Sequence, residues 1–389
     1  MEKESDKKIL LIDDSALMRR VLSDIINKDK MLHVEAGVKD GLEALELLEK
    51  RSFDLIVLDL IMPRMNGLEF LQEMKNRGYT QKVIIVSTIA KKGAGETIRA
   101  LELGAFDFVT KPGSLLDAKS KDFVEKLLHR IHLALGIEWD DGRQQTVVQK
   151  SGSLSKEQQT KKDPGNWNPV KREKTSSCSV KSATRVPHSP AGGVKETGKL
   201  VALTCSTGGP KALQSVIPKL PADLDAAVVL VQHMPVGFTA SLSARLDEMS
   251  AIKVKEAEDG EVIQKGTVYI AKGGSQMRVV EHNRHEFKLS VREEEARNGL
   301  KPCADIMYES LMKCSFDDIT CVVMTGMGSD GTKGILQLEK TNKIYVIAQD
   351  AASSTVYGMP KAVAESGATD EVQDLNLIAD AIIKHVGVR

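Results

Sequence analysis

The sequence predicts two α/β domains, each built on a parallel sheet with helices on both faces, joined by a flexible polar linker. Short β-rich runs alternate with amphipathic segments from Lys8 to about Gly136, and a second such alternation runs from Leu200 to the end. Between them, from about Gly142 to Gly198, large apolar residues are few, so no core can form there. A chain of 389 residues suits two cores. We expect domains over 1–136 and 199–389 and a linker over 137–198.

The first alternation predicts a doubly wound, flavodoxin-like domain with a five-stranded parallel sheet. Apolar residues three and four apart indicate the helices between its strands. The predicted strands are 8–13, 33–37, 54–59, 82–87 and 107–110, and the predicted helices are 16–27, 41–51, 67–77 and 95–104.

The second alternation predicts another doubly wound α/β domain, with no internal repeat. Its predicted strands are 200–204, 226–231, 267–271, 319–325 and 344–348, and its predicted helices lie near 210–217, 238–249, 304–313 and 332–340.

Charge and cysteine content exclude several classes of protein. Lys plus Arg and Asp plus Glu each number 54, so no overall field favours nucleic acid. The N-terminus lacks an apolar run long enough for a signal peptide or membrane span, and we expect a cytoplasmic monomer without membrane insertion. The five cysteines are an odd number with no Cys-x-x-Cys spacing, so reduced thiols are expected rather than disulfides or a zinc site. The linker is basic and would serve either as a solvated tether or to dock a partner.

Acidic residues follow two predicted strands of the first domain. Asp13 and Asp14 come after strand 1, and Asp59 ends strand 3, so the three carboxylates should converge at one edge of the sheet. A single such Asp would more often cap a helix. Three together favour a hard cation such as Mg²⁺, which leaves coordination positions for phosphoryl oxygens. Lys111 and Ser87, at the ends of strands 5 and 4, would supply a cation and a donor for phosphoryl transfer.

Four segments of this domain closely resemble response-regulator receiver domains. The resemblance implies that Asp59 is phosphorylated, that Asp13 and Asp14 hold Mg²⁺ with it, and that Lys111 contacts the phosphoryl group. It also implies that Ser87 follows the new charge, that Phe108 is the coupled aromatic residue, and that the Lys111–Pro112 bond is cis. The segments are IDDSALMRRVL (12–22), DLIVLDLIMPRMNGLEFL (54–71), VIIVST (83–88) and ALELGAFDFVTKP (100–112).

A serine in the second domain lies in a tight turn between a strand and a helix. Ser206 follows the run LVALT, and the helix is expected to begin at Pro210. Backbone N–H groups at a helix N-terminus stabilise an oxyanion, which favours a nucleophile, although an ordinary N-cap serine is the alternative. His233 and Asp330 follow later strands and would act as base and orienting carboxylate. The neighbouring thiol of Cys205 is a rival nucleophile.

The second domain resembles the catalytic domain of the chemotaxis protein-glutamate methylesterases, the CheB family. The resemblance implies Ser206 as nucleophile, His233 as base, Asp330 as orienting carboxylate, the Met327 backbone as oxyanion donor, and no cofactor in this site. One loop, AKGGSQM (271–277), departs from the family pattern Ala-Pro-Gly-Gly-x-His-Met, so the resemblance assigns no substrate contacts to its Lys272 and Gln276. The matching segments are CSTGGP (205–210), LVQHMPVGFT (230–239), MTGMGSDGTKG (324–334) and AQDAASSTVYGMPKA (348–362).

The two resemblances together imply a phosphorylation-activated esterase. Its substrates would be glutamate methyl esters, and also glutamine side chains, on the cytoplasmic domains of chemoreceptors, and a chemotaxis histidine kinase would be the phosphodonor. The unphosphorylated receiver is expected to cover the Ser206 site. The alternative is a catalytically silent phospho-switched adaptor, or a serine hydrolase that acts on another protein. A transcriptional regulator is disfavoured, because the sequence offers no helix-turn-helix or basic surface to read DNA.

Overall fold

The computed structural model describes residues 6–87, 91–138, 198–283 and 286–389. The predicted linker, 137–198, lies almost wholly outside these ranges, and so does Cys178. The four cysteines within them are buried free thiols. None of the helices in these ranges is long and apolar enough to cross a membrane.

The N-terminal domain contains a five-stranded parallel sheet in the order β2-β1-β3-β4-β5, as the predicted fold class requires. Its strands are β1 (Lys7–Ile12), β2 (Leu32–Val38), β3 (Leu55–Asp59), β4 (Lys82–Ser87) and β5 (Asp107–Thr110). Its helices are α1 (Ala16–Ile26), α2 (Gly41–Leu48), α3 (Gly67–Asn76), α4 (Lys91–Leu103), α5 (Leu115–Ala118) and α6 (Lys121–Leu135).

The central strands of this sheet are buried on both faces. Ile9 to Ile12 of β1 and Leu55 to Leu58 of β3 are inaccessible to solvent, which is why each is a continuous apolar run. Helix α4 begins four residues before the predicted start. Its two glycines disfavour a helix locally. However, Ala94 and Ile98 of this helix are buried, and their packing outweighs the low propensity.

The C-terminal domain contains a seven-stranded sheet in the order β14-β13-β12-β6-β7-β9-β8, with every pairing parallel, and an antiparallel hairpin, β10-β11. Its strands are β6 (Lys199–Cys205), β7 (Ala227–Gln232), β8 (Lys253–Glu256), β9 (Thr267–Ile270), β10 (Gln276–Asn283), β11 (Glu286–Arg292), β12 (Asp318–Val323), β13 (Ile344–Gln349) and β14 (Glu371–Gln373). Its helices are α7 (Gly209–Val216), α8 (Phe238–Met249), α9 (Ala304–Leu311), α10 (Thr332–Leu338), α11 (Met359–Glu365) and α12 (Ile378–Val386).

Each sheet has a point where the strand order reverses, and this point fixes where a site can form. In the N-terminal sheet the reversal lies between β1 and β3, and in the C-terminal sheet between β6 and β12. Loops that leave the carboxyl ends of such strands diverge and open a crevice. Asp13 and Asp59 lie at the first reversal, and Ser206 and the Gly326 to Asp330 turn lie at the second.

Candidate functional site

Three carboxylates and one lysine meet at the crevice of the N-terminal sheet. Carboxylate oxygens of Asp13, Asp14 and Asp59 lie within 4.8 Å of one another. The Lys111 ammonium donates to Asp13 Oδ2 at 2.9 Å and to Asp59 Oδ2 at 2.6 Å. Asp13 and Asp59 are buried, whereas Asp14 is exposed. Of the five residues that the sequence predicts for this pocket, the structure therefore brings together Asp13, Asp14, Asp59 and Lys111.

The electrostatics of this pocket fit a divalent cation. Burial raises the pKa of Asp59, and the hydrogen bond and charge of Lys111 offset only part of that rise. Burial alone would lower the pKa of Lys111, but the carboxylates of Asp59 and Asp13 raise it. One ammonium faces three carboxyl groups, so negative charge is left over. Carboxylate oxygens are the ligands that Mg²⁺ prefers, and the donor set suits that ion.

The Ser87 side chain contacts α4 and the Phe108 side chain contacts the C-terminal domain, while the Ser87 carbonyl accepts from the Lys111 amide. Ser87 is buried; its hydroxyl accepts from Thr97 Oγ1 at 2.6 Å and donates to the Gly93 carbonyl at 3.3 Å, which ties it to α4. The buried Phe108 ring lies 4.6 Å, centroid to centroid, from Phe238 of the C-terminal domain. The cis peptide expected at Lys111–Pro112 is wrong, since among the described residues the cis bond is Lys301–Pro302.

The register of two neighbouring strands places Ser206 beside His233. Cys205 of β6 pairs with Gln232 of β7, so the next residue of each strand emerges at the same sheet edge. The His233 amide donates to the Cys205 carbonyl at 3.1 Å. The buried Gln232 side chain donates to the carbonyls of Ser206 at 2.9 Å and His233 at 3.2 Å. Gln232 thus joins the two segments that carry Ser206 and His233. Sequence reasoning missed this role, because the sequence shows only a polar residue at the end of an apolar strand.

The turn that carries Ser206 is shaped by glycine. The N-cap of α7 is Gly208, with φ of 80°. The alternative in which Ser206 is an ordinary N-cap residue is therefore wrong. The left-handed conformation suits glycine, and a Cβ at Gly208 would collide with Thr355. Pro210 lies in the first turn of the helix, where its missing N–H costs nothing.

His233 and Asp330 form a short hydrogen bond. His233 Nε2 lies 2.8 Å from Asp330 Oδ2, and both side chains are at most one-tenth exposed. Asp330 also accepts from the amides of Ala304 at 2.6 Å and Asp305 at 3.1 Å, at the start of α9. Burial opposes ionisation of Asp330, but the bonds from His233 and these amides outweigh it and lower its pKa to about 2. The carboxylate is therefore ionised at neutral pH.

The Asp305 side chain caps the N-terminus of α10, the helix that follows Asp330. Its Oδ1 accepts from the amides of Gly331 at 3.0 Å and Gly334 at 2.8 Å, at the start of α10. Burial raises the pKa of Asp305, and these amides offset part of the rise. Asp330 thus holds α9 while Asp305 holds α10, and the two helix starts fix each other. Sequence reasoning missed Asp305, which stands in an ordinary helical pattern.

Ser206 is next to the His–Asp pair without being bonded to it. Among the described residues, its hydroxyl makes no hydrogen bond with His233. Since Nε2 faces Asp330, Nδ1 is the imidazole nitrogen left to accept a proton. A change of side-chain rotamer is the motion that would join Ser206 Oγ to Nδ1.

The turn after β12, which carries Met327, packs against Ser206 through the residues just before Met327. The Ser206 amide donates to the Thr325 carbonyl at 2.9 Å, and a Cβ on Gly326 would lie 2.8 Å from Ser206 Cβ. Within the described parts of the chain, the Met327 N–H has no acceptor. An unused N–H one residue beyond this contact is the feature that an oxyanion donor needs.

Cys205 does not have the properties of a nucleophile. Its side chain is wholly buried, and its thiol donates to Gln232 Oε1 at 3.0 Å. Burial raises the pKa of this thiol well above its usual range, so the reactive thiolate is suppressed.

The loop that departs from the family pattern has two different roles. Gln276 is wholly buried; its Oε1 accepts from the Cys303 amide at 2.9 Å and its Nε2 donates to the Leu300 carbonyl at 3.1 Å. It therefore cannot contact a substrate at the surface. Lys272 is exposed, and the following Gly273 packs so closely on the Pro235 carbonyl that a Cβ would collide with it. This contact brings the loop against the segment after His233.

The N-terminal domain contacts the C-terminal domain directly beside Ser206. Thr207 Oγ1 donates to Asp107 Oδ2 at 2.8 Å. Glu102 of α4 accepts from two guanidinium nitrogens of Arg245, at 2.8 and 3.2 Å, and from Gln214 Nε2 at 3.1 Å. Helix α4 packs on α7 and α8 at this interface.

These features define a two-domain protein, in which a receiver-type domain with an acidic crevice is joined to a doubly wound domain with a serine beside a His–Asp pair. Residues 9–121 match the response regulator receiver domain family, and residues 201–382 match the CheB methylesterase family.

Relatives align with this chain over nearly its whole length. The protein-glutamate methylesterase/protein-glutamine glutaminase of Pyrococcus horikoshii is 37% identical over 381 residues, which cover 98% of this chain and 94% of that protein. The protein of the same name from Bacillus subtilis is 38% identical, over 96% of this chain and 97% of its own. The crystal structure of the Thermotoga maritima CheB methylesterase catalytic domain is 39% identical and covers 49% of this chain and all of that one, with a TM-score of 0.47. The chain belongs to the CheB methylesterase family, and the resemblance found in the sequence is confirmed.

Proposed function

We propose that this chain is a phosphorylation-activated protein-glutamate methylesterase that acts on the cytoplasmic domains of chemoreceptors, as a cytoplasmic monomer in chemotactic adaptation. Relatives that align over nearly its whole length are named for this activity and for glutaminase activity. The observation that carries the chemistry is the 2.8 Å bond of His233 to Asp330, one residue beyond the strand pair that delivers Ser206.

In the first half of the reaction Ser206 Oγ attacks the carbonyl carbon of the methyl ester. His233 Nδ1 accepts the hydroxyl proton, and Asp330 stabilises the resulting imidazolium through Nε2–H. The tetrahedral oxyanion is stabilised by the Met327 N–H. Its collapse breaks the bond to the methoxy oxygen, which takes the proton from His233 and leaves as methanol.

In the second half His233 takes a proton from water, which attacks the acyl-enzyme. As this second intermediate collapses, His233 returns its proton to Ser206 Oγ, and the released glutamate side chain ionises at neutral pH. A glutamine side chain passes through a similar oxyanion and releases ammonia, so the same residues support deamidation.

Control is proposed to begin with phosphorylation of Asp59 by a chemotaxis histidine kinase. Asp13, Asp14 and Asp59 would hold Mg²⁺, which when bound neutralises charge on the phosphoryl oxygens. Lys111, already bonded to Asp59, would contact the phosphoryl group.

The unphosphorylated receiver is proposed to restrain the Ser206 site through the domain interface. Ser87 is bonded to residues of α4, and α4 packs on α7 and α8 of the esterase domain. A shift of Ser87 toward a phosphoryl group would therefore move an interface helix. Raising activity 10- to 100-fold needs about 1.4 to 2.7 kcal/mol of differential stability, which one phosphoryl group can supply.

The test measures methanol released from methylated chemoreceptors by the full chain. Wild type with acetyl phosphate and Mg²⁺ should release methanol, and Ser206→Ala, treated identically, should not. Asp59→Asn should retain the low basal rate and show no response to acetyl phosphate. If wild type were no faster than Ser206→Ala, the esterase assignment would be wrong and the chain would be a phospho-switched adaptor.

A further inference from the structure

We propose that Cys303 and Gln276 are positioning residues, which hold the Asp330 carboxylate in the orientation that bonds His233. This inference rests on the proposed function, because it assigns residues that support the His–Asp pair of the esterase reaction. Among the described residues, neither side chain hydrogen-bonds to Ser206 or His233.

The Cys303 thiol is one of four donors around Asp330. Cys303 Sγ lies 3.1 Å from Asp330 Oδ1, and the side chain is 1% exposed. Burial and the adjacent Asp330 charge raise the pKa of this thiol to about 12, so it stays protonated and donates. Oδ2 is already used by His233 and the Ala304 amide. Without the thiol, Oδ1 retains only the Asp305 amide at 3.1 Å.

Gln276 fixes the segment that supplies these donors. Three of the four, the Cys303 thiol and the amides of Ala304 and Asp305, come from consecutive residues. The Gln276 amide group bonds the Cys303 amide through Oε1 and the Leu300 carbonyl through Nε2. Its complete burial leaves these bonds without competition from water.

The contacts form one path from the loop to the base: Gln276 to Cys303, Cys303 to Asp330, and Asp330 to His233. A carboxylate with both oxygens engaged cannot rotate about its side-chain torsion, so its bond to Nε2 keeps the proton there and leaves Nδ1 free to accept. Among the described residues, no other thiol hydrogen-bonds to Asp330. The Cys314 thiol, for example, donates to the carbonyl oxygens of Val279 and Ser310, at 3.6 and 3.7 Å.

The first experiment compares Cys303→Ala, Cys303→Ser and Cys314→Ala in the full, phosphorylated chain. Cys303→Ala should lower kcat for methanol release about tenfold with KM nearly unchanged, because a hydrogen bond to a charged group is lost. Cys303→Ser keeps a donor and should restore kcat to within about threefold of wild type. Cys314→Ala removes a buried thiol of the same size and should have no effect on kcat.

The second experiment tests whether Gln276→Leu disturbs the same chain of contacts, from Gln276 through Cys303 and Asp330 to His233. It should lower kcat by about tenfold or more, and combined with Cys303→Ala its effect should be less than the product of the two, since both act through Asp330. Thermal unfolding by circular dichroism identifies any variant that fails to fold. For folded variants, the downfield Nε2–H proton resonance of His233 should weaken or move upfield in Cys303→Ala and not in Cys314→Ala.

The outcomes separate this inference from the proposed function. If wild type releases methanol and Cys303→Ala does so equally well with an unchanged His233 resonance, the positioning role is refuted while the esterase stands. A serine variant no better than the alanine variant would also refute it. If wild type releases no methanol, the esterase is refuted, and the His233 resonance alone then decides whether Cys303 orients Asp330.

Discussion

At the residue scale, the tautomer of the His233 imidazole depends on whether residue 330 can only accept a hydrogen bond or can also donate one. The carboxylate can only accept from Nε2–H, and its pKa of about 2 keeps it ionised throughout the neutral range. An amide in its place would present an N–H to the ring as easily as an oxygen. That would stabilise the tautomer with its proton on Nδ1, which cannot act as a base toward Ser206.

Asp330→Asn should therefore lower kcat by roughly 10³- to 10⁴-fold, as loss of the orienting carboxylate does in triads of this type. Methanol release by the phosphorylated chain measures this. Asp318 lies at the start of β12, at the end opposite to the turn that carries Asp330. Asp318→Asn is therefore the matched control and should keep wild-type kcat. A fall of less than tenfold in Asp330→Asn would contradict the role of the carboxylate.

The same carboxylate predicts a pH dependence of stability. Its folded pKa, about 2, is below the ordinary 3.8, so its contribution is present above about pH 4 and is lost as pH falls toward 2. The difference in unfolding free energy between wild type and Asp330→Asn should be constant above about pH 5 and shrink by about 2 kcal/mol at the acid end. Urea denaturation at a series of pH values measures it. A difference that grew on acidification would contradict the low pKa.

The two adjacent candidates for nucleophile are also separable by substitution. Cys205→Ala should retain activity within about tenfold of wild type, because it loses one bond to Gln232, whereas Ser206→Ala should lose at least about 10³-fold. Single-turnover assays with a chromogenic ester measure both. The reverse order of effects would make the thiol the nucleophile.

At the element scale, the domain interface is carried by α4 against α7 and α8, with Glu102 and Arg245 as its bidentate ion pair. These side chains are 18% and 35% exposed, so the pair is partly shielded from solvent. It holds an interface helix rather than the core of either domain.

Reversing one of these charges should loosen the interface and raise basal activity without phosphorylation. Glu102→Arg or Arg245→Glu alone should raise it about three- to tenfold, and the double swap should return it toward wild type. Methanol release without a phosphodonor measures this. Arg77→Glu, which breaks an ion pair within the N-terminal domain, should leave the basal rate unchanged. Equal rates for all four would exclude a restraining role for this contact.

The sequence predicts the buried strands better than the exposed ones. The strands β4 and β5 match the predicted 82–87 and 107–110, since buried strands are apolar runs with polar ends. The edge strands β8 and β14 and the β10-β11 hairpin were missed, because they are short or carry charged residues on an exposed face. The candidate nucleophile, base and acid could be found because each follows a strand at the functional edge. Gln232, Asp305 and Cys303 could not, because their partners are distant in sequence and only the fold brings them together.

At the scale of the whole molecule, the two domains differ in how they share apolar cores. One apolar cluster is formed wholly within residues 200–368 and another wholly by the N-terminal sheet and helices, apart from a peripheral contact by Val356. The third cluster contains residues of both domains, including Phe108 and Phe238. The C-terminal domain thus has a core of its own, yet part of its apolar surface is covered by the receiver.

Residues 198–389 alone should therefore fold, with a lower Tm than in the full chain and a higher esterase rate. Loss of the receiver exposes apolar surface such as that around Phe238, which lowers stability, and frees the turn beside Ser206 from Asp107. We expect a rate about 10- to 100-fold above that of the unphosphorylated full chain, and no response to acetyl phosphate with Mg²⁺. Calorimetry and methanol release measure the two effects, with full-length Asp59→Asn as the control that stays slow. A truncated chain slower than the unphosphorylated full chain would mean that the receiver assists the esterase, because removing a restraint can only raise the rate.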